Sequence, residues 1–229
     1  MNNYLVATIK DWQIAAYHAK SQQLAGNWHL ISDPKQLTLP MLRELNPRYI
    51  FFPHWSWLVP EEILNEFECI CFHMTDVPYG RGGSPLQNLI ARGHKHTQLT
   101  ALRMEKTLDT GPVYLKVPLS LEGTAQQIFE LSAQLTFDMI ESIVKLNPEP
   151  YPQQGQVEIF QRRTPEQSQL PTQASASQIY DHIRMLDAQS YPHAFVNHGN
   201  LSIEFTNASI VDDKQVTASV TITINETEK

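Results

Sequence analysis

The chain has 229 residues and a mass of 26.2 kDa. That is enough for one full α/β domain with an appendage, and short for two full domains. It is 41% hydrophobic and 18% charged, so it can bury a core and is not globally disordered. Its 17 basic and 24 acidic residues give a net charge of −7. No basic run supplies the phosphate neutralisation on which nucleic-acid affinity mostly rests. Apolar runs such as Tyr49–Phe52 are far too short to span a bilayer. Met1–Tyr4 lacks the basic-then-apolar order of a signal peptide. Two cysteines, Cys69 and Cys71, cannot form a disulfide framework and are spaced to share one strand face. The expectation is a reduced, cytoplasmic protein.

Leu5–Ile9 reads as a buried strand. Residues 11–24 follow at near-helical spacing, with Asp11 as N-cap. Trp28–Ile31 is a short strand. Pro34–Leu45 reads as a helix closed by Asn46-Pro47, and Arg48–Phe52 as a second apolar strand. Pro60 opens a short helix with Glu61 and Glu62 in its first turn, where carboxylates suit the helix dipole. Phe67–His73 is a third apolar strand. It runs into Met74–Pro85, with three glycines and two prolines in twelve residues. Such a loop does not pack a core; it presents backbone and polar groups. Leu86–Ala91 reads as a helix closed by Gly93, and Thr97–Met104 and Val113–Val117 as strands. Residues 124–146 form the longest helix, with Ile128, Leu131, Leu135, Met139 and Ile143 spaced by three and four. Strands alternating with helices imply a doubly wound, mostly parallel Rossmann-like sheet. Ligands bind such sheets beyond the strands' C-terminal ends, where His73 and its loop lie.

Beyond Pro148 the character changes. Pro148, Pro150 and Pro152 punctuate a linker, and residues 153–175 hold seven glutamines, two prolines and the Arg162-Arg163 pair. A helix over Ser177–Leu186 and strands near 194–197, 201–206 and 215–223 follow. The division is a domain over 1–149 and a small α+β appendage over 150–229.

Three features converge on chemistry. His73 ends a buried strand, and an imidazole can take a proton from an amine or hydroxyl near neutrality. Asp109, in Leu108-Asp109-Thr110-Gly111, lies between two strands on a loop that can approach it. A carboxylate there orients an imidazole and stabilises its charged form. Arg81-Gly82-Gly83 offers exposed donors. Taken singly, each has a plainer reading: a structural histidine, a turn, a flexible loop. His94-x-His96 has no carboxylate or cysteine cluster beside it, so no metal site is expected.

Residues 73–87, His-Met-Thr-Asp-Val-Pro-Tyr-Gly-Arg-Gly-Gly-Ser-Pro-Leu-Gln, followed by Leu108-Asp109-Thr110-Gly111-Pro112, resemble the 10-formyltetrahydrofolate-dependent formyltransferase family. The resemblance covers residues 48–146 well and the rest weakly. It implies that an amine attacks the formyl carbon of 10-formyltetrahydrofolate, the co-substrate, with no metal. His73 would take the amine proton or stabilise the oxyanion, and Asp109 would orient His73. The family's usual Asn two residues before the histidine is Cys71 here. A thiol is a far weaker donor than an amide, so Cys71 is either a small buried hydrophobe or a residue with a chemical role.

The resemblance places the pterin against Trp57, Leu58, Met104 and Leu108, although Trp55 and Trp57 could equally cover the sheet edge. Thr75, Asp76, Arg81 and Gly82 are the expected acceptor-binding residues. The short chain before His73 suggests one missing β–α unit. Among acceptors, the sugar N-formyltransferases resemble the chain best, implying a nucleotide-linked amino sugar in surface glycan biosynthesis. Arg81 or Arg162-Arg163 would hold its phosphate. No nucleic-acid or membrane partner is expected, and a homodimer is compatible with the resemblance. The alternatives are a methionyl-tRNA formyltransferase-like enzyme and a non-catalytic folate- or nucleotide-binding module.

Overall fold

The computed structural model describes residues 1–226. It divides into two compact units. The first comprises Met1–Gly82, Thr97–Leu119 and Phe129–Ile159; the second comprises Gly83–His96, Ser120–Ile128 and the chain from Phe160 onward.

The first unit is built on six strands: β1 (Asn3–Ala7), β2 (Asn27–Ile31), β3 (Pro47–Pro53), β4 (Cys69–His73), β6 (His96–Arg103) and β7 (Val113–Ser120). Their order is β2-β1-β3-β4-β6-β7. The pairs β1–β2, β1–β3 and β3–β4 are parallel, and β6 runs antiparallel to β4. This is the mostly parallel α/β sheet that the alternating pattern predicts. The helices are α1 (Asp11–Lys20), α2 (Leu39–Leu45), α3 (Glu61–Glu66) and most of α5 (Ala125–Leu146). Strand alternation sends Leu5, Ala7, Ile50, Phe52 and Cys69 into one cluster with Leu42 of α2 and Ile63 of α3. The α1–α5 contact is aromatic. Trp12 stacks on Phe129 at 5.2 Å and Tyr17 meets Phe137 edge-on at 6.3 Å.

Two local expectations change. Lys10, not Asp11, is the N-cap of α1, and Asp11 is the first helical residue. The expected helix over 34–45 splits into a 3-10 turn at Pro34–Gln36 and α2. Pro40 lacks an N–H, so it fits only the first turn of a helix and forces a fresh start after Thr38. Asn46, at φ 47°, ends α2.

The second unit holds α4 (Pro85–Ala91), α6 (Ala176–Arg184) and the strands β9 (Ala194–His198), β10 (Leu201–Asp212) and β11 (Gln215–Ile224). These strands form an antiparallel sheet ordered β11-β10-β9, with Ile203 opposite both Ile222 and Val196. Ser175 and Gln178 form a capping box on α6. Buried Arg184 bonds Asp181 Oδ1 at 2.7 Å through Nε, and Leu121 O at 2.6 Å and Gly123 O at 2.9 Å through Nη1. Two-residue strands, β5 (Arg81–Gly82) and β8 (Ile159–Phe160), complete the elements. Among the described residues, no helix is long and apolar enough to cross a membrane.

Candidate active site

The site is built within the first unit, at the C-terminal end of β4. His73 is the last residue of β4 and pairs in register with Thr100 of β6. Period-two alternation puts Cys69, Cys71 and His73 on one face of the sheet. Cys69 is buried in the core cluster, and Cys71 packs against the same cluster. Both thiols are free.

The glycine-rich loop folds back onto His73. Nε2 of His73 lies 2.8 Å from the carbonyl oxygen of Gly80. A carbonyl only accepts, so Nε2 carries the hydrogen in this contact. Thr75, fully buried, donates its hydroxyl to the same oxygen at 3.2 Å, and its own carbonyl accepts from Thr100 Oγ1 at 2.8 Å. Nδ1 of His73 faces Asp109 Oδ1 at 3.6 Å, with the two side chains only 10% and 14% exposed. Both ring nitrogens therefore face acceptors. Asp109 Oδ2 accepts the backbone N–H of Gly82 at 2.9 Å. Gly82 sits at φ 102°, a conformation that a side chain would strain. Asp109 itself is left-handed, at φ 56°.

The turn carrying Asp109 is tight. A Cβ on Gly111 would come within 1.9 Å of Arg103 O, so this position accepts no side chain. Gln153, from the linker, donates Nε2 to Asp109 O at 2.8 Å and to Gly111 O at 2.7 Å. Its Oε1 accepts from Arg81 Nε at 3.1 Å and Nη2 at 2.8 Å. Arg81, read from sequence as an exposed donor, is thus part-buried and bound within the chain. Asp76, largely exposed, pairs with Lys116 Nζ at 2.5 Å, and that ammonium also bonds Val77 O at 2.7 Å.

Desolvation pushes the Cys71 thiol well above its ordinary range, and the nearby Asp109 carboxylate pushes it further. Burial, with Glu68 adding to it, raises Cys69 to about 12. Both are thiols, not thiolates, at neutral pH.

The expected pterin-slot residues divide. Met104 packs against the core cluster, as Trp55 and Cys71 do, and its N–H bonds Cys69 O at 2.8 Å. Trp57 meets Trp55 edge-on at 5.1 Å and is 46% exposed; Leu58 and Leu108 are 80% and 59% exposed. In the second unit, Arg163 N–H bonds Ser84 Oγ at 3.0 Å and its guanidinium bonds Gln167 O. Arg162 crowds Gly83, where a Cβ would lie 2.5 Å from the Arg162 Cα. His94 precedes β6 and His96 begins it. Among the described residues, no three His, Cys, Asp or Glu side chains gather as a metal-binding group.

Sequence reasoning missed Gln153. It is one of seven glutamines in a polar stretch, and its partners lie more than forty residues away. The signal that marks it is its place just after Tyr151, whose backbone pairs with Val113 at the start of β7.

The α/β sheet thus sets a histidine at the end of an inner strand, with a carboxylate turn facing it and a glycine-rich loop bonded to both. The chain belongs to the formyltransferase family. The family profile for the C-terminal domain of methionyl-tRNA formyltransferase matches residues 165–223. A solved methionyl-tRNA formyltransferase from Clostridium thermocellum is 42% identical, with a TM-score of 0.94, and the match covers 98% of this chain and 100% of that one. A methionyl-tRNA formyltransferase of Francisella philomiragia is 28% identical over 202 residues, 84% of this chain. The chain spans 64% of the length of that curated relative. A sugar N-formyltransferase from a Shewanella species shares the fold, with a TM-score of 0.67 over the full length of both chains, at 14% identity.

Proposed function

We propose that the chain is an N-formyltransferase that moves the formyl group of 10-formyltetrahydrofolate to an amine. The observation that carries this reading is Asp109 held between His73 Nδ1 and the Gly82 N–H. In the transfer, the bond from amine nitrogen to formyl carbon forms and the bond from that carbon to N10 of the folate breaks. One proton leaves the amine and one reaches N10. His73 Nε2 is the ring atom placed to hold a proton through that exchange, with the acceptor amine replacing Gly80 O as its partner. Asp109, 3.6 Å from Nδ1, fixes the orientation of the ring. Cys71, as a thiol, adds little to oxyanion stabilisation, so that task falls to His73 and backbone N–H groups.

Trp57, Leu58 and Leu108 fit the donor end, because a planar pterin needs apolar walls and these side chains stand exposed. Met104 is assigned to the base of that end, on the support that it packs against the same core cluster as Cys71.

For the acceptor, the 42% identity to a methionyl-tRNA formyltransferase and the match of residues 165–223 to that enzyme's C-terminal domain favour the methionyl group of a charged tRNA. They weigh against the nucleotide-linked amino sugar expected from sequence. The amino-sugar reading keeps one specific support, the net charge of −7 without a basic run. The test is formyl transfer followed by mass spectrometry, with 10-formyltetrahydrofolate and either methionyl-tRNA or a panel of nucleotide-linked amino sugars. A gain of one formyl group on methionyl-tRNA is the expected result. A gain on a sugar alone moves the acceptor, and no gain on any amine overturns the enzymatic reading in favour of a binding module.

A further inference from the structure

We infer that Gln153 is a positioning residue for the His73–Asp109 pair. It locks the Asp109 turn in the geometry that aims the carboxylate at His73, and it ties that turn to Arg81. The catalytic consequence rests on the formyl-transfer reading; the geometric claim does not.

The backbone sets the problem. Asp109 is a non-glycine residue at φ 56°. Such a conformation carries strain and persists where its surroundings over-determine it. Gln153 supplies that determination. Both hydrogens of its side-chain amide are spent on the turn, one on Asp109 O at 2.8 Å and one on Gly111 O at 2.7 Å. The two carbonyls flank Thr110, so the whole turn is pinned from one side. The amide oxygen takes two N–H groups of the Arg81 guanidinium. A charged donor on Oε1 polarises the amide and strengthens its two donations.

The ring of contacts closes. Arg81 precedes Gly82 in the chain, and the Gly82 N–H holds Asp109 Oδ2 at 2.9 Å. The path therefore runs from Arg81 to Gln153, to the Asp109 carbonyl, to the Asp109 carboxylate, and back through Gly82. Asp109 is held at both its backbone and its side chain. The segment bearing Gln153 is anchored on both sides. Tyr151 exchanges backbone bonds with Val113 at 2.7 and 2.9 Å, and Glu158 O accepts from Gly80 N and Arg81 N, each at 3.0 Å. Without the amide donors, the turn can relax toward ordinary φ, and the carboxylate then leaves the Nδ1 side of His73.

The test separates donation from space-filling. Gln153→Glu keeps the shape and the acceptor for Arg81 but has no N–H for the two carbonyls. It should lower kcat about 10–100-fold, the scale of a small misplacement of a catalytic group. KM for donor and acceptor should each stay within about threefold. Amide hydrogen exchange at Gly82 should quicken by about tenfold or more, since its acceptor Oδ2 is no longer held. Gln153→Met, uncharged, gives the same readings if the glutamate variant does not fold. Wild-type kcat together with unchanged Gly82 exchange in either folded variant overturns the inference. If the wild-type protein formylates no amine, the functional reading fails, while Gly82 exchange still decides whether Gln153 holds the turn.

Discussion

Asp109 is shared between the His73 ring and the Gly82 backbone. Its Oδ1 lies 3.6 Å from His73 Nδ1 and its Oδ2 accepts the Gly82 N–H at 2.9 Å. A carboxylate serves both, whereas an amide in the same place presents an NH₂ to one of them. Asparagine tolerates left-handed backbone, so Asp109→Asn keeps the turn at φ 56° and changes only the charge and one acceptor. It should lower kcat/KM for formyl transfer by about 10²–10⁴-fold. His73→Ala should do at least as much. Circular dichroism and the melting temperature should stay near wild type for Asp109→Asn, because the pair lies at a loop mouth. Near-wild-type kcat/KM in either folded variant would remove the pair from the chemistry.

Cys71, which the resemblance sets where the family's usual asparagine is expected, lacks the hydrogen-bonding power of an amide. Desolvation and the Asp109 carboxylate both keep its thiol protonated. Cys71→Ser should therefore retain activity within about tenfold. Any cost should appear as stability, roughly 1–3 kcal/mol for a hydroxyl enclosed where a thiol packed. Native protein at pH 7 should react with a thiol reagent more slowly than free cysteine does. Stoichiometric labelling that abolishes activity and is blocked by substrate would give Cys71 a chemical role instead.

His54 follows β3, sits at φ 53° and meets Trp12 and Phe129 edge-on. Burial, helped by the Lys10 charge, lowers its pKa to about 3 from the ordinary 6.5. Between those values the unfolded chain binds a proton that the folded chain does not, so stability falls as pH drops below about 6.5. From pH 7 to pH 5 the loss is about 2 kcal/mol. A protein of this size loses roughly 2–4 °C in Tm per kcal/mol. His54→Asn suits the left-handed backbone and does not titrate. Its melting temperature should fall less between pH 7 and pH 5 than that of the wild type, by roughly 4–8 °C. Equal falls in the two proteins would show that His54 is not the group responsible.

The parallel sheet was legible because its strands are short apolar runs separated by helical periods, and β4 announced itself by ending in a histidine beside three glycines. The candidate pair was legible for the same local reason: each residue terminates a strand or begins a turn. What stayed hidden depends on long-range partners. Arg81 looks like an exposed donor in sequence, yet Gln153, 72 residues away, occupies it. Gln153 is indistinguishable by composition from its glutamine neighbours. The break between Gln36 and Leu39 was hidden for a different reason. Apolar spacing over 34–45 continues through Pro40, and the backbone constraint of proline, not the hydrophobic pattern, decides where α2 starts.

The acceptor question reduces to how many phosphates the chain can neutralise. If methionyl-tRNA is the substrate, 17 basic residues in a chain of net charge −7 must hold it with few phosphate contacts. Each contact contributes about −0.9 to the slope of log affinity against log salt for a duplex. Two or three contacts then lose roughly 10–40-fold in kcat/KM between 50 and 200 mM salt, against about 10³–10⁵-fold for six to ten contacts. The expected outcome is formylation of methionyl-tRNA with at least about tenfold higher kcat/KM than any nucleotide-linked amino sugar, and with that shallow salt dependence. Most of the discrimination would then come from the methionyl amine beside His73 and from the acceptor end, not from the body of the tRNA. Asp76 is the exposed member of the expected acceptor-binding set, and Lys116 holds its carboxylate at 2.5 Å. Asp76→Ala should raise acceptor KM more than donor KM, with kcat changed by less than about threefold. A nucleotide-linked amino sugar formylated faster than methionyl-tRNA at every salt concentration would reverse the assignment and restore the acceptor that charge alone suggests.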